Sequence, residues 1–295
     1  KGWEFRVDAV PFENRDWRVG FYFNIAHNEN KITEMPDNYT EENYTFNNGE
    51  YAYRREEGRP MGSFYGYRYK GVCQNKDATY ARDADGNVMK DISGNAIVMR
   101  NGTATIAPGD ALYEDINHDG VINQYDIVYL GNSNPRFTGG AGVNVSYKQF
   151  KLSAIFYGRY GQDVVNSTRL NNESMRGIDN QSTAVLRRWR NEGDQTDIPR
   201  ALYGEGYNTL GSDRFVEDAS YLRLKSLSFN YRLPKKIIQR WGFSNIDVYV
   251  TGYNLFTWTK YTGQDPEVKT ENTYARDSAT TPASIQLVAG FNLSF

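Results

Sequence analysis

Apolar and polar side chains alternate in seven separate stretches of this chain, most clearly in the last. In IQLVAGFNLSF, Ile285, Leu287, Ala289, Phe291, Leu293 and Phe295 form one apolar row at period two, while Gln286, Gly290, Asn292 and Ser294 keep the other row small or polar. Successive residues of a strand point to opposite faces, so this spacing predicts a strand with one greasy and one wet face. The same reading predicts strands over residues 3–10, 17–26, 137–148, 150–160, 214–232, 245–261 and 284–295. In the second, Trp17, Val19, Phe21, Phe23 and Ile25 oppose Arg18, Gly20, Tyr22, Asn24 and Ala26, a length that crosses a bilayer at a tilt.

Short and long connections alternate between these stretches. Turns are expected at 11–16, 148–149 and 234–245, and long polar segments at 27–136, 161–213 and 262–283; STAVLRRWRNEG, in the second long segment, reads as helical. One such strand suits a soluble sandwich as well as a membrane barrel. The alternation of connection lengths points to the barrel, because membrane barrels place short turns on the periplasmic side and long loops outside. The fold class is therefore all-β, an antiparallel wall with long extracellular loops. Trp3, Trp17, Trp241 and Trp258 fall near strand ends, where interfacial aromatics belong.

Composition agrees with strands. Aromatic residues make up 15% of the chain, with 23 Tyr and 27 Gly, a bias toward strands and turns. No apolar run is long enough for a transmembrane helix. A mean hydropathy of −0.71 is compatible with a barrel, whose inward residues and loops dilute its lipid face. Net charge is −2 with no basic tract, which gives no electrostatic case for nucleic acid. The single Cys73 excludes an internal disulfide, and the first residues, KGWEFRVDAV, lack the apolar core of a secretion signal.

One motif carries a chemical signature. DINHDGVINQYD has the spacing of a calcium loop, with Asp115, Asn117, Asp119, the Val121 carbonyl, Asn123 and Asp126 as oxygen donors, Gly120 at the tight turn and Ile122 as buried anchor. Asp in place of Glu at the last position makes bidentate closure less certain. Such an ion would be structural, pinning the foot of the first long loop. A metal-free turn held by Asx hydrogen bonds is the alternative. His118 occupies a non-liganding position, and His27 lies in no metal or triad motif. Gly139, Gly140 and Gly142 lie within an alternating strand, so a phosphate cradle is not expected; the small inward residues there leave room for something packed inside. The aromatic run Ser63 to Tyr69 reads as a strand-like segment folded back within the first loop. No nucleophile, base and oxyanion set can be assembled, so no catalysis is expected.

Several segments resemble the SusC/RagA-type TonB-dependent transporters of Bacteroidetes outer membranes. They are KGWEF, GRPMGSFYGYRYKGV, PGDALYEDINHDGVINQYDIVYLGNSNPRFTGG, RRWRNEGDQTDIPRA, FVEDASYLRLKSLSFNYRLP and DVYVTGYNLFTWTKYTGQDPEV, which span almost the whole chain. The resemblance implies the C-terminal seven antiparallel strands of a 22-stranded transmembrane barrel, with about fifteen strands, the plug domain and the TonB box lying elsewhere. It further implies import of oligosaccharides or peptides with a SusD-like surface lipoprotein, driven through TonB, in a wall facing outer-membrane lipid. A secreted, calcium-stabilised carbohydrate-binding β module remains the alternative.

Overall fold

Seven strands hydrogen-bond side by side in chain order, every neighbouring pair antiparallel. They are β1 (Gly2–Glu13), β2 (Trp17–Asn28), β3 (Phe137–Tyr147), β4 (Phe150–Tyr160), β5 (Tyr221–Arg232), β6 (Asn245–Thr259) and β7 (Gln286–Ser294). This computed structural model describes residues 1–37, 47–204, 206–268, 270–271 and 274–295; parts of the three long connections, at 38–46, 205, 269 and 272–273, lie outside the described residues.

The register turns seven amphipathic strands into one two-faced wall. One apolar row crosses the sheet as Ala9, Phe21, Val143, Ala154, Leu227, Gly252 and Leu287, each opposite the next. The row nearer the short turns runs Phe12, Val19, Val145, Leu152, Phe229, Val250 and Ala289. Many of these side chains are exposed, including Phe12, Phe21, Val143, Leu152, Phe229, Val250 and Leu287. A soluble sheet buries this face, whereas here it forms an open apolar surface across all seven strands.

Aromatic rings collect at both ends of that surface. On the turn side Trp17 lies 4.3 Å from Tyr147, and Phe150 stacks on Tyr231 at 4.6 Å. On the loop side Phe137 lies near Trp3 at 6.2 Å and Tyr160 at 6.5 Å, and Trp258 stacks against Phe256 at 6.1 Å. Strand β3 runs from Phe137 in one belt to Tyr147 in the other. At about 3.3 Å per residue, the two belts stand about 33 Å apart along the strand.

The opposite face is polar and partly filled from within. Gly142 pairs with Tyr22, and a Cβ at Gly142 would run into the Tyr22 ring. Gly290 pairs with Tyr249 in the same way, its notional Cβ 2.6 Å from the Tyr249 hydroxyl. The space expected beside Gly142 is thus occupied by a neighbouring strand's ring and is not left open, because a glycine without Cβ lets a cross-strand aromatic lie flat over the backbone.

The long connections have hydrophobic cores of their own, which their polar composition concealed. Phe64, Tyr65 and Tyr67 are buried, and Ser63–Gly66 pairs with Val128–Asn132. Ala52, Tyr65, Tyr67, Cys73, Met99, Ile106, Tyr113 and Ile122 of the first connection pack with Leu210 of the second. Val164 and Ala219 pack with Tyr261, Val268 and Ala275 of the third. The three loops therefore form one interlocked cap.

Two expectations shift. The fifth strand starts at Tyr221, not near 214, because Val216–Asp218 pairs with Asp163–Asn166 in the cap and Asp218 turns the chain by accepting from the Ser220 amide at 2.8 Å. The STAVLRRWRNEG segment makes only a short 3-10 turn, Thr183–Arg187. Arg188 is extended beyond it, and Trp189 donates its backbone N–H to the Ile198 carbonyl at 2.9 Å. A short α-helix lies earlier, at Ser167–Asn172.

Candidate functional site

In the acidic loop, backbone amides converge on side-chain oxygens. Asp115 Oδ2 accepts from the Gly120 N–H at 2.8 Å and Asp115 Oδ1 from Asp119 N–H at 3.3 Å. Asn117 Oδ1 also accepts from Asp119 N–H, and Asp119 Oδ1 from Val121 N–H at 2.7 Å. Gly120 has a φ of +80°, which its missing Cβ permits, and Ile122 is fully buried. Asp126 is buried and caps the following 3-10 turn: its oxygens accept from Asn123 N–H and Ile116 N–H, each at 2.8 Å. Asn123 Nδ2 donates to the Val121 carbonyl at 3.1 Å, and exposed His118 takes a φ of +57°. Burial pushes the Asp126 carboxyl above its ordinary range, and the Asp115 charge adds to the shift.

Asp115, Asn117 and Asp119 thus share one turn, and each carboxylate oxygen keeps lone pairs beyond those used by the amides. Asp126 is engaged at its far end as a cap. Among the described residues no group of three or more His, Cys, Asp or Glu is arranged to hold a metal. The donor chemistry fits a hard cation, but the hydrogen bonds also close the turn without one.

Two ion-pair clusters that the sequence did not single out tie the cap together. Arg223 of β5, buried on the polar face, donates Nε to Thr257 Oγ1 at 2.8 Å, Nη1 to Glu267 Oε2 at 2.9 Å and Nη2 to Asp265 Oδ1. Asp265 Oδ2 in turn accepts from the Ala283 N–H at 2.9 Å, and Lys225 Nζ donates to Glu267 Oε2 at 2.9 Å. The third loop is thereby fastened to the polar face of the sheet. Asp110 and Arg200 pair in a fork, Nε to Oδ1 at 2.8 Å and Nη2 to Oδ2 at 3.2 Å, with Asn208 bridging Asp110 to the Ala111 N–H. Gly109 lets the Trp189 ring sit against the backbone beside this pair. These two contacts join the first and second loops.

A third feature had a sequence signal. Asp83 to Asn87 and Asp91 to Asn95 repeat at an eight-residue spacing, and each Asp Oδ1 accepts from the N–H groups two and four residues on. Ala81, Met89 and Ile97 then link by backbone hydrogen bonds, stacking two tight Asx-turn hairpins. Cys73 is buried at the edge of the same core, and burial pushes its thiol up to about 11, so it is chemically quiet.

No protein-family model matches the chain. TonB-dependent receptor P3 of Formosa agariphila is 33% identical over 282 residues, covering 92% of this chain and 25% of the relative. TonB-dependent receptor SusC of Bacteroides thetaiotaomicron is 25% identical over 304 residues, covering all of this chain and 26% of the relative. Among solved structures, the RagAB peptide transporter superposes with a TM-score of 0.69 at 26% identity over the whole chain and 29% of that structure's chain. The chain spans about a quarter of the length of the curated relatives it matches, and all of these similar proteins are named as receptors or transporters, none as an enzyme. Sequence and fold together place this chain in the SusC/RagA family of TonB-dependent receptors, as a segment of a longer molecule.

Proposed function

We propose that the chain is the C-terminal part of an outer-membrane importer, supplying seven strands of barrel wall and the loop cap above them. The observation that carries this reading is the seven-stranded apolar face bounded by two aromatic belts, because such a surface is stable in hydrocarbon and an aggregation hazard in water. The edges point the same way. Among the described residues β1 pairs only with β2 and β7 only with β6, and unpaired strand edges are prohibitively costly within lipid. Both edges require further strands, from the same protein or a separate chain, as a 22-stranded barrel would supply. A secreted carbohydrate-binding module would have to leave the same face in water.

In this reading the three short turns lie in the periplasm, the cap faces outside, and a plug fills the lumen behind the polar face. The likeness to the RagAB peptide transporter and to SusC supports a SusD-like lipoprotein over the cap, import of a peptide or oligosaccharide, and energy input through TonB. Fractionation tests the location. The segment in its full transporter should sediment with the outer membrane and need detergent for extraction; release by high salt or alkaline wash would overturn the reading.

We further propose that Asp115, Asn117, Asp119, the Val121 carbonyl, Asn123 and Asp126 hold a structural Ca²⁺. What supports it is the convergence of three side-chain donors on one turn. The ion's place would be structural, at the foot of the first loop.

A further inference from the structure

The third short turn differs from the other two in how it carries charge. Between β5 and β6, Lys235–Ile238 forms one helical turn, Gln239–Trp241 continues it as 3-10, and Gly242 closes it at a φ of +79°. Its ionisable side chains are Lys235, Lys236 and Arg240, all cationic, and among the described residues none of them has an ion-pair or hydrogen-bond partner for its side chain. The other two turns set cations against carboxylates: Arg18 lies 3.8 Å from Glu13, and Lys148 of the second turn lies 3.9 Å from Asp16 of the first. The carboxylate nearest in sequence, Asp247, is held by Arg232 at 2.9 Å.

The turn is also amphipathic. Ile238 is fully buried, while Ile237 and Trp241 are 45% and 61% exposed. The helical turn packs against β6. On that strand Val248 and Val250 are 43% and 42% exposed, yet Ile246, next in the same apolar row, is buried. The turn therefore covers the turn-side end of the lipid-facing row and does not project away from the wall. Phe243, just beyond it, lies 5.0 Å from Phe295.

We propose that this turn is an interfacial foot that binds anionic phospholipid headgroups of the leaflet at the short-turn side of the barrel. Ile237 and Trp241 enter the boundary between headgroups and acyl chains, and Lys235, Lys236 and Arg240 reach the phosphates. The occupant is lipid because the turn continues the apolar band at the level of the Trp17, Tyr147, Phe150 and Tyr231 belt. Its uniform positive charge complements an anionic surface, each cation near such a surface strengthening attachment about fivefold. This inference rests on the barrel reading above.

The test uses the full transporter in nanodiscs containing either brominated phosphatidylglycerol or brominated phosphatidylethanolamine. The emission lost in W241F isolates the Trp241 signal. Trp241 should be quenched more by the brominated phosphatidylglycerol, and about 0.5 M salt, which shortens electrostatic range to a few ångströms, should abolish the preference. The K235Q/K236Q/R240Q variant should lose it as well, while the salt titration on unaltered protein gives the same information should that variant fold poorly. Equal quenching by both lipids at low salt, with Trp17 quenched normally, would overturn the lipid site and leave the barrel standing. No quenching of Trp17 or Trp258 by either lipid would overturn the barrel itself.

Discussion

Arg223 on the polar face of β5 donates to Asp265 of the third loop, 42 positions further along the chain. The same guanidinium reaches Glu267 and Thr257, so one buried cation joins the wall to the loop above it. Removing one member of a buried charge cluster leaves the others unpaired, which costs about 3 kcal/mol or more. Arg223→Met should therefore loosen residues 262–283 far more than it disturbs the strands. Limited proteolysis should cut that loop faster in the variant, while heat-modifiable mobility on gels, which reads the intact barrel, stays unchanged. An equally resistant loop would contradict the assignment.

Acid should reproduce part of that effect. Burial works to raise the Asp265 carboxyl, but hydrogen bonds from the Ala283 and Glu267 amides and from Arg223 outweigh it and hold it below its ordinary range. A carboxyl lowered in the folded state contributes stability that is present above its unfolded pKa and lost as pH falls through the folded value. Loop protection should decline below about pH 4. Asp265→Asn should weaken the loop at neutral pH and flatten its acid dependence, measured by hydrogen exchange over residues 262–283.

Tyr22 and Gly142 should be energetically coupled. Gly142→Ala places a methyl group where the Tyr22 ring lies, an overpacking that costs about 1–3 kcal/mol. With Tyr22→Ala already in place, the same change should be close to neutral. A double-mutant cycle on urea unfolding in micelles should give a coupling of about 1 kcal/mol or more. Additive effects would mean the ring does not occupy that space.

The calcium proposal turns on a difference between conditions. Asp115→Asn combined with Asp119→Asn should abolish the rise in thermal midpoint that Ca²⁺ produces in the unaltered protein, and should matter little in chelator. Equal destabilisation with and without the ion would show that the two carboxylates serve only the Asx hydrogen bonds seen in the turn.

The wall was legible in the sequence and the cap was not, for physical reasons. Period-two alternation is a local signal, and Trp17 to Ile25 or Phe137 to Tyr147 displays it within one strand. It misled only where alternation continued past a real break: Phe215 and Glu217 look like an extension of β5, yet Asp218 turns the chain at Ser220. The cap's order depends on partners far apart, such as Asp110 with Arg200 or Leu210 with the core of the first loop, and no periodicity announces them. The eight-residue spacing of its Asx turns at Asp83 and Asp91 is a signal that period-two alternation passes over. In the acidic loop the turn chemistry of Asp115 to Val121 followed from spacing, whereas the capping role of Asp126 depended on burial that spacing does not encode.

The central claim is that the apolar row faces lipid and the polar row faces a lumen. Single spin labels at residues 143, 144, 145, 146, 152 and 153 in the reconstituted transporter test it most directly, with buried Cys73 replaced by Ser. Collisions with oxygen, which partitions into hydrocarbon, should peak at 143, 145 and 152; collisions with a water-soluble nickel chelate should peak at 144, 146 and 153. Accessibility without a period of two, or with oxygen favouring the polar row, would contradict the barrel-wall account.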